Sequence, residues 1–202
     1  IASNMVPAVD TAIYSAVGTD TVSYGVARSA QDTGNLGYKL ALDGGLTVSM
    51  EAARNTSAGG TDNTYGVTYT GIDGLTLAAG TGMTATGGTA EVESTTFGVK
   101  YATGGLTFGL QLTDVETEGT TEEEDGVYMG VTYNVNDDFT IGYLRQETDF
   151  SGTSSDEEHT GFQASYSMGS ISFSGRVSKL DNMGGSATAS DEDKHITMSI
   201  AF

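Results

Sequence analysis

The chain has 202 residues, with 29 Gly, a single Pro, no Cys or Trp, and 27 acidic against 8 basic side chains for a formal charge of −19. Without Cys there is no disulfide framework and no thiolate metal site, and so few bases cannot replace the counterions of a nucleic-acid backbone. No run of eighteen apolar residues occurs, which leaves no candidate for a transmembrane helix.

The first twenty residues, "IASNMVPAVDTAIYSAVGTD", hold the single proline, Pro7, and break any regular pattern. They lack a basic stretch followed by an apolar one, the mark of an export leader. That fits either a mature chain or one whose beginning lies upstream. The stretch "DTVSYGVA" is the first to alternate.

From residue 34 onward, period two dominates. "NLGYKLAL" sets Leu36, Tyr38, Leu40 and Leu42 against Gly37, Lys39 and Ala41. "LTVSMEA" opposes Leu46, Val48 and Met50 to Thr47, Ser49 and Glu51. "TYGVTYT" repeats the scheme, and "LTLAAGTGM" follows it more weakly. It returns in "TTFGVKYA", "LTFGLQLT", "VYMGVTYNV", "FTIGYL", "TGFQASYSM", "ISFSGRVS" and the closing "HITMSIAF". Twelve or thirteen strands are predicted.

Short and long connections alternate between them. Residues 43–45, 71–74, 103–105, 134–138 and 168–170 are rich in the Gly, Asn and Asp that tight hairpins require. Residues 53–63, 84–95, 114–125, 147–158 and 181–193 are long and polar, and they carry 19 of the 27 acids. The chain therefore reads as an all-β array of up-and-down hairpins.

Such an array can bury its apolar face, as a soluble sandwich or small barrel does, or turn that face to lipid. Three features favour lipid. The other face is Gly, Ser, Thr, Gln, Lys and Arg, which suits the wet wall of a channel. Nine or ten residues, at about 3.3 Å each and a tilt near 40°, span an apolar band about 25 Å tall. Tyr69, Tyr101, Phe108, Tyr133, Phe139, Tyr166 and Phe173 lie near short turns on the apolar face, and Phe202 ends an outward series on the same side. Rings gathered there make a girdle at a membrane interface.

Alternation points Lys39, Glu51, Lys100, Gln111, Gln163 and Arg176 to the polar face, where they are expected to line a pore. Arg54 and Arg145 fall on the outward face, beside long loops, in reach of lipid phosphates. His195 points inward, and His159 stands beside Asp156, Glu157 and Glu158 at a loop junction. A histidine ringed by carboxylates could activate water, as in outer-membrane hydrolases of the omptin type, but no serine stands in a G-x-S-x-G setting. No catalytic residue and no enzymatic activity are expected. No cofactor and no dedicated metal site are expected either, since the acidic loops lack calcium-loop spacing; weak divalent cation binding is the most they suggest.

Taken together, the acidic loops, Gly-rich alternating strands, turns flanked by Tyr and Phe, and the terminal "ITMSIAF" resemble the general diffusion porins of Gram-negative outer membranes. The resemblance covers residues 34–202 and is one of pattern. It implies a transmembrane antiparallel barrel of about sixteen strands in the bacterial outer membrane, embedded in lipid and lipopolysaccharide and assembled as a homotrimer. It also implies a long third loop folded inward as a constriction, and a last strand read by the outer-membrane assembly machinery. On this reading the chain is the C-terminal portion of a longer porin. Residues 1–33 then form an irregular segment at the constriction loop, with Asp10 and Asp20 facing the basic wall; alternatively they add one or two strands to a smaller barrel. The expected function is passive diffusion of small hydrophilic solutes, with a slight preference for cations. A surface adhesin or anchor, or the omptin-like hydrolase, is the alternative.

Overall fold

The computed structural model describes residues 35–54, 59–85, 90–120, 123–153 and 155–201. Asp10, Asp20, the "DTVSYGVA" stretch and Phe202 lie outside them, and so do the expectations placed on those residues. Among the described residues there are eleven strands: β1 (Asn35–Leu42), β2 (Leu46–Arg54), β3 (Thr61–Ile72), β4 (Leu75–Ala85), β5 (Glu91–Thr103), β6 (Leu106–Thr117), β7 (Glu123–Asn134), β8 (Phe139–Phe150), β9 (Glu157–Met168), β10 (Ile171–Asp181) and β11 (Asp191–Ile200). They form one antiparallel sheet in chain order, each strand paired with its sequence neighbours. All eleven stretches read as strands from residue 34 onward are present.

The strands are longer than alternation marks. β6 runs to Thr117 and β7 begins at Glu123, so the connection expected over 114–125 is mostly strand. β5, β9 and β11 likewise start inside the expected connections, at Glu91, Glu157 and Asp191. Past the apolar band both faces are polar. The period-two signal fades there, although the hydrogen-bond ladder continues.

Every buried strand residue sits on one face of this sheet. Ser49, Glu51 and Ala53 on β2 share it with Thr64, Ala78, Thr96, Gln111, Tyr128, Leu144 and Thr148, as the cross-strand register requires. On the inner side of a curled sheet, side chains converge and cover one another; on the outer side they splay. The second face is the apolar one. It exposes Leu36, Tyr38, Val48, Tyr65, Phe97, Leu112, Phe162 and Ile196, the last at 86%. Leu110 and Val131 lie half-buried on it and Ile200 exposed, rather than meeting in a dry centre.

The short turns are built alike. Gly44, Gly45, Gly74, Gly104 and Gly169 supply positive φ. The β7–β8 turn instead uses the Asn136 side chain, whose oxygen accepts the N–H groups of Asp138 and Phe139, both at 2.9 Å. Each turn is then tied to the next hairpin by a backbone bond of 2.8 Å. Thr70 donates to Gly45, Ala102 to Gly74, Asn134 to Gly105, Ser167 to Asp138 and Ala201 to Ser170. Five repeats of one bond make a continuous rim.

Gly74 carries two of these demands. Its φ is +73, and a Cβ there would run into the carbonyl of Ala102, the residue whose N–H closes the rim on the Gly74 carbonyl. Gly104, at φ +57, has open space around it. Gly74→Ala is expected to cost about 2–3 kcal/mol and Gly104→Ala about 1 kcal/mol, read as the shift in urea unfolding of the refolded protein in detergent micelles.

Candidate functional site

The concave face is the candidate site, and cross-strand register lays it out in rows. Gln111 on β6, Tyr128 on β7, Gln146 on β8 and His159 on β9 are successive partners. Below them, beyond an intervening row through Leu144, Gly161 and Ser178, run Gly142, Gln163, Arg176 and His195, on β8 to β11. Lys39 pairs with Ser49 on β2, and Lys100 with Thr76 and Gly109. Lys39, Glu51, Lys100, Gln111, Gln163 and Arg176 thus all share this face.

Their surroundings differ. Gln111 and Gln146 are fully buried and Glu51 nearly so, whereas Lys39 is exposed and Lys100, Gln163 and Arg176 are half-buried. Arg176 lies 3.3 Å from the Asp193 carboxylate through both Nε and Nη2. Asp62 accepts the Ala85 N–H at 2.9 Å, and Thr96 donates to the Leu112 carbonyl at 3.1 Å.

Tyr128 is absent from the residues that sequence reading singles out for the wall. Its neighbours Val127 and Met129 point outward, so alternation alone would have sent it inside. It is 1% exposed, and Thr113 Oγ1 donates to its hydroxyl at 3.3 Å. The ring lies back over Gly126, where an added Cβ would meet the Tyr128 and Thr113 oxygens. Glycine at 126 makes the room.

His159 faces Gln146 and Leu180 across the sheet, and His195 faces Arg176. A wide apolar groove of about 670 Å³ lies over Ala79 and Thr81 between Tyr65 and Phe97. All four of those side chains belong to the outer face, so the groove opens away from the wall.

On the outer face, Tyr69, Tyr101, Phe108, Tyr133, Phe139, Tyr166 and Phe173 sit within three residues of the short-turn ends of their strands. Phe139 and Tyr166 meet edge to face, ring centres 6.5 Å apart. Rings are not confined to that end. Tyr38, Tyr65, Phe97, Tyr143 and Phe162 stand higher on the same face. Period two fixes the side of the wall, not the height.

Above the apolar band the acids crowd on the outer face. Asp114, Asp125 and Asp149 are consecutive cross-strand partners, and Glu116 faces Glu123. Carboxylate oxygens of Asp114, Glu123 and Asp125 lie within 4.8 Å of one another. Partial desolvation, then the charges of Glu116 and Asp125, raise the Asp114 pKa; the Asp125 charge chiefly raises that of Glu123. A carboxyl with a raised folded pKa holds its proton more tightly when folded, so its penalty is complete above that value and is relieved as pH falls through it. Lowering pH from about 7 toward about 4 is therefore expected to strengthen this end of the β6–β7 hairpin. Asp125→Asn should flatten that gain, measured as the urea midpoint against pH for both proteins. Nearby, Arg145 offsets two further acids, lying 3.0 Å from Glu147 and 3.1 Å from Glu158.

Comparisons with known proteins agree with this architecture. The family model for Gram-negative porins matches residues 7–182. No curated protein matches the sequence. Among solved structures, the anion-selective porin from Comamonas acidovorans is 15% identical, with a TM-score of 0.67 over 83% of this chain and 59% of that one. Another porin, also 15% identical, gives 0.66 over 82% and 60%. A loop-deletion form of OmpT, an outer membrane protein of Vibrio cholerae, is 18% identical and gives 0.57 over 82% and 62%. The chain spans about three-fifths of the length of these structures, and at such identities the likeness is one of fold: the wall of an up-and-down membrane barrel. With the family match covering most of its length, the chain belongs to the Gram-negative porins of the bacterial outer membrane.

Proposed function

We propose that this chain is part of the wall of an outer-membrane pore through which small hydrophilic solutes and ions diffuse passively. The observation that carries the reading is the two-sided wall. Eleven consecutive strands hold an apolar exterior against a glycine-, hydroxyl- and amide-rich interior, without one exchange of faces. Water fills such a lumen and lipid covers such an outside. Lys39, Glu51, Lys100, Gln111, Gln163 and Arg176 are the wall residues proposed to meet the solute.

β1 and β11 run in the same direction. An all-antiparallel barrel therefore closes only through an odd number of further strands. Five would complete sixteen, in keeping with the three-fifths of the porins that this chain spans. The same reading makes the protein a homotrimer in lipid and lipopolysaccharide, delivered by the assembly machinery; one of the OmpT structures is described as a trimer form. Weak exchange of divalent cations at Asp114, Glu123 and Asp125 belongs to it as well.

The test is conductance. The full-length protein in a planar bilayer should give stable channels, and a silent bilayer would sink the proposal. Carboxylates outnumber bases on the described concave face, so a salt gradient should give a reversal potential of slight cation preference. Lys100→Glu should move it further in that direction.

A further inference from the structure

Charges on the concave face are sorted by height. Counting from the short-turn end of each strand, Lys39 and Lys100 stand three residues up and Arg176 five. The carboxylates begin level with Arg176, at Glu51 with five residues, and the rest stand higher: Asp193 at seven, Asp191 at nine, Asp62 and Glu124 at ten, and Glu157 at eleven. Register places all nine side chains on this one face. Among the described residues, the lower wall is basic and the upper wall acidic.

We infer that the pore is a bipolar, rectifying conduit whose current depends on the sign of the voltage. The inference rests on the pore reading above and adds to it a direction. From Lys100 to the height of Glu124 is seven residues along the strand, roughly 18 Å along the axis at about 3.3 Å per residue and a tilt near 40°. The ends of the two zones thus lie further apart than the screening length of about 10 Å at 0.1 M salt, and Arg176, Glu51 and Asp193 mark the height where the zones meet. The upper zone admits cations and the lower zone anions.

When the long-loop side is positive, cations enter through the acidic zone and anions through the basic one. Both accumulate where the zones meet, and conductance rises. Opposite polarity empties that region. The carboxylates of Asp43, Asp73, Asp137 and Asp138 sit in the short turns, exposed at the rim, where bulk water and salt screen them. Arg176 is partly cancelled by Asp193, which leaves Lys39 and Lys100 as the main basic pair.

The experiment compares current at equal positive and negative voltages across the full-length protein in symmetric salt. At about 0.1 M the ratio should be on the order of 1.5- to 2-fold, larger with the long-loop side positive. It should fall toward one at about 1 M, where screening shortens to about 3 Å. Lys39→Glu with Lys100→Glu should remove it at low salt, and Asp137→Asn with Asp138→Asn should leave it intact. Open channels with equal currents at both polarities at about 0.1 M salt would overturn the inference and leave the pore standing. So would a ratio that ignores the lysine exchange or follows the rim aspartates. Absence of any channel would overturn both.

Discussion

Leu110→Lys is expected to destabilise the folded protein by about 2–4 kcal/mol, the cost of a cationic side chain near the middle of a barrel's lipid face. Leu110 sits on β6 between Phe108 and Leu112, and the outward series turns acidic only at Asp114. Its neighbours across the sheet are Val99 and Met129. An ammonium there has no polar partner at its own level and must reach several residues toward either interface. Ser174→Lys is the matched control. Ser174 lies on the opposite face of β10, beside Ser165 and Thr197, and faces water on the pore reading. Its change should cost no more than about 1 kcal/mol and appear instead as lower conductance. Urea unfolding in lipid vesicles measures the first quantity and a planar bilayer the second. A larger cost at Ser174 than at Leu110 would mean that the faces are assigned the wrong way round, and equal costs that one face is not lipid and the other water.

Tyr128→Ala should cost about 3 kcal/mol, at the low end for a fully buried aromatic because lumen water can enter the space it leaves. The ring is 1% exposed and lies over Gly126. Tyr128→Phe keeps the ring and loses the hydroxyl with its bond from Thr113, at about 1 kcal/mol per bond lost. Gly126→Ala would put a methyl where the Tyr128 hydroxyl now is and push the ring from its place. All three are read by urea unfolding. Gly126→Ala should behave more like Tyr128→Ala than like Tyr128→Phe. If Gly126→Ala is neutral, the ring does not need that site.

By itself the sequence determined the parity of the wall. A side chain's face depends only on whether its position is odd or even within its strand. "LTFGLQLT" therefore already separated Leu110 from Gln111, and "VYMGV" already separated Val127 from Tyr128. Glycine and asparagine marked the short turns, since positive φ is a property of the single residue, as at Gly74. Tertiary structure decided everything that depends on register and length. That Asp114, Asp125 and Asp149 stand in one line follows from hydrogen bonds between strands, which bring together residues eleven and twenty-four positions apart and which no local pattern encodes. The ends of β6 and β7 lay hidden for a related reason. Once both faces are polar, alternation carries no signal, yet the backbone ladder goes on. The heights at which Lys100 and Glu124 stand follow from those same ends, so the vertical sorting of charge became visible only when the strands were laid side by side.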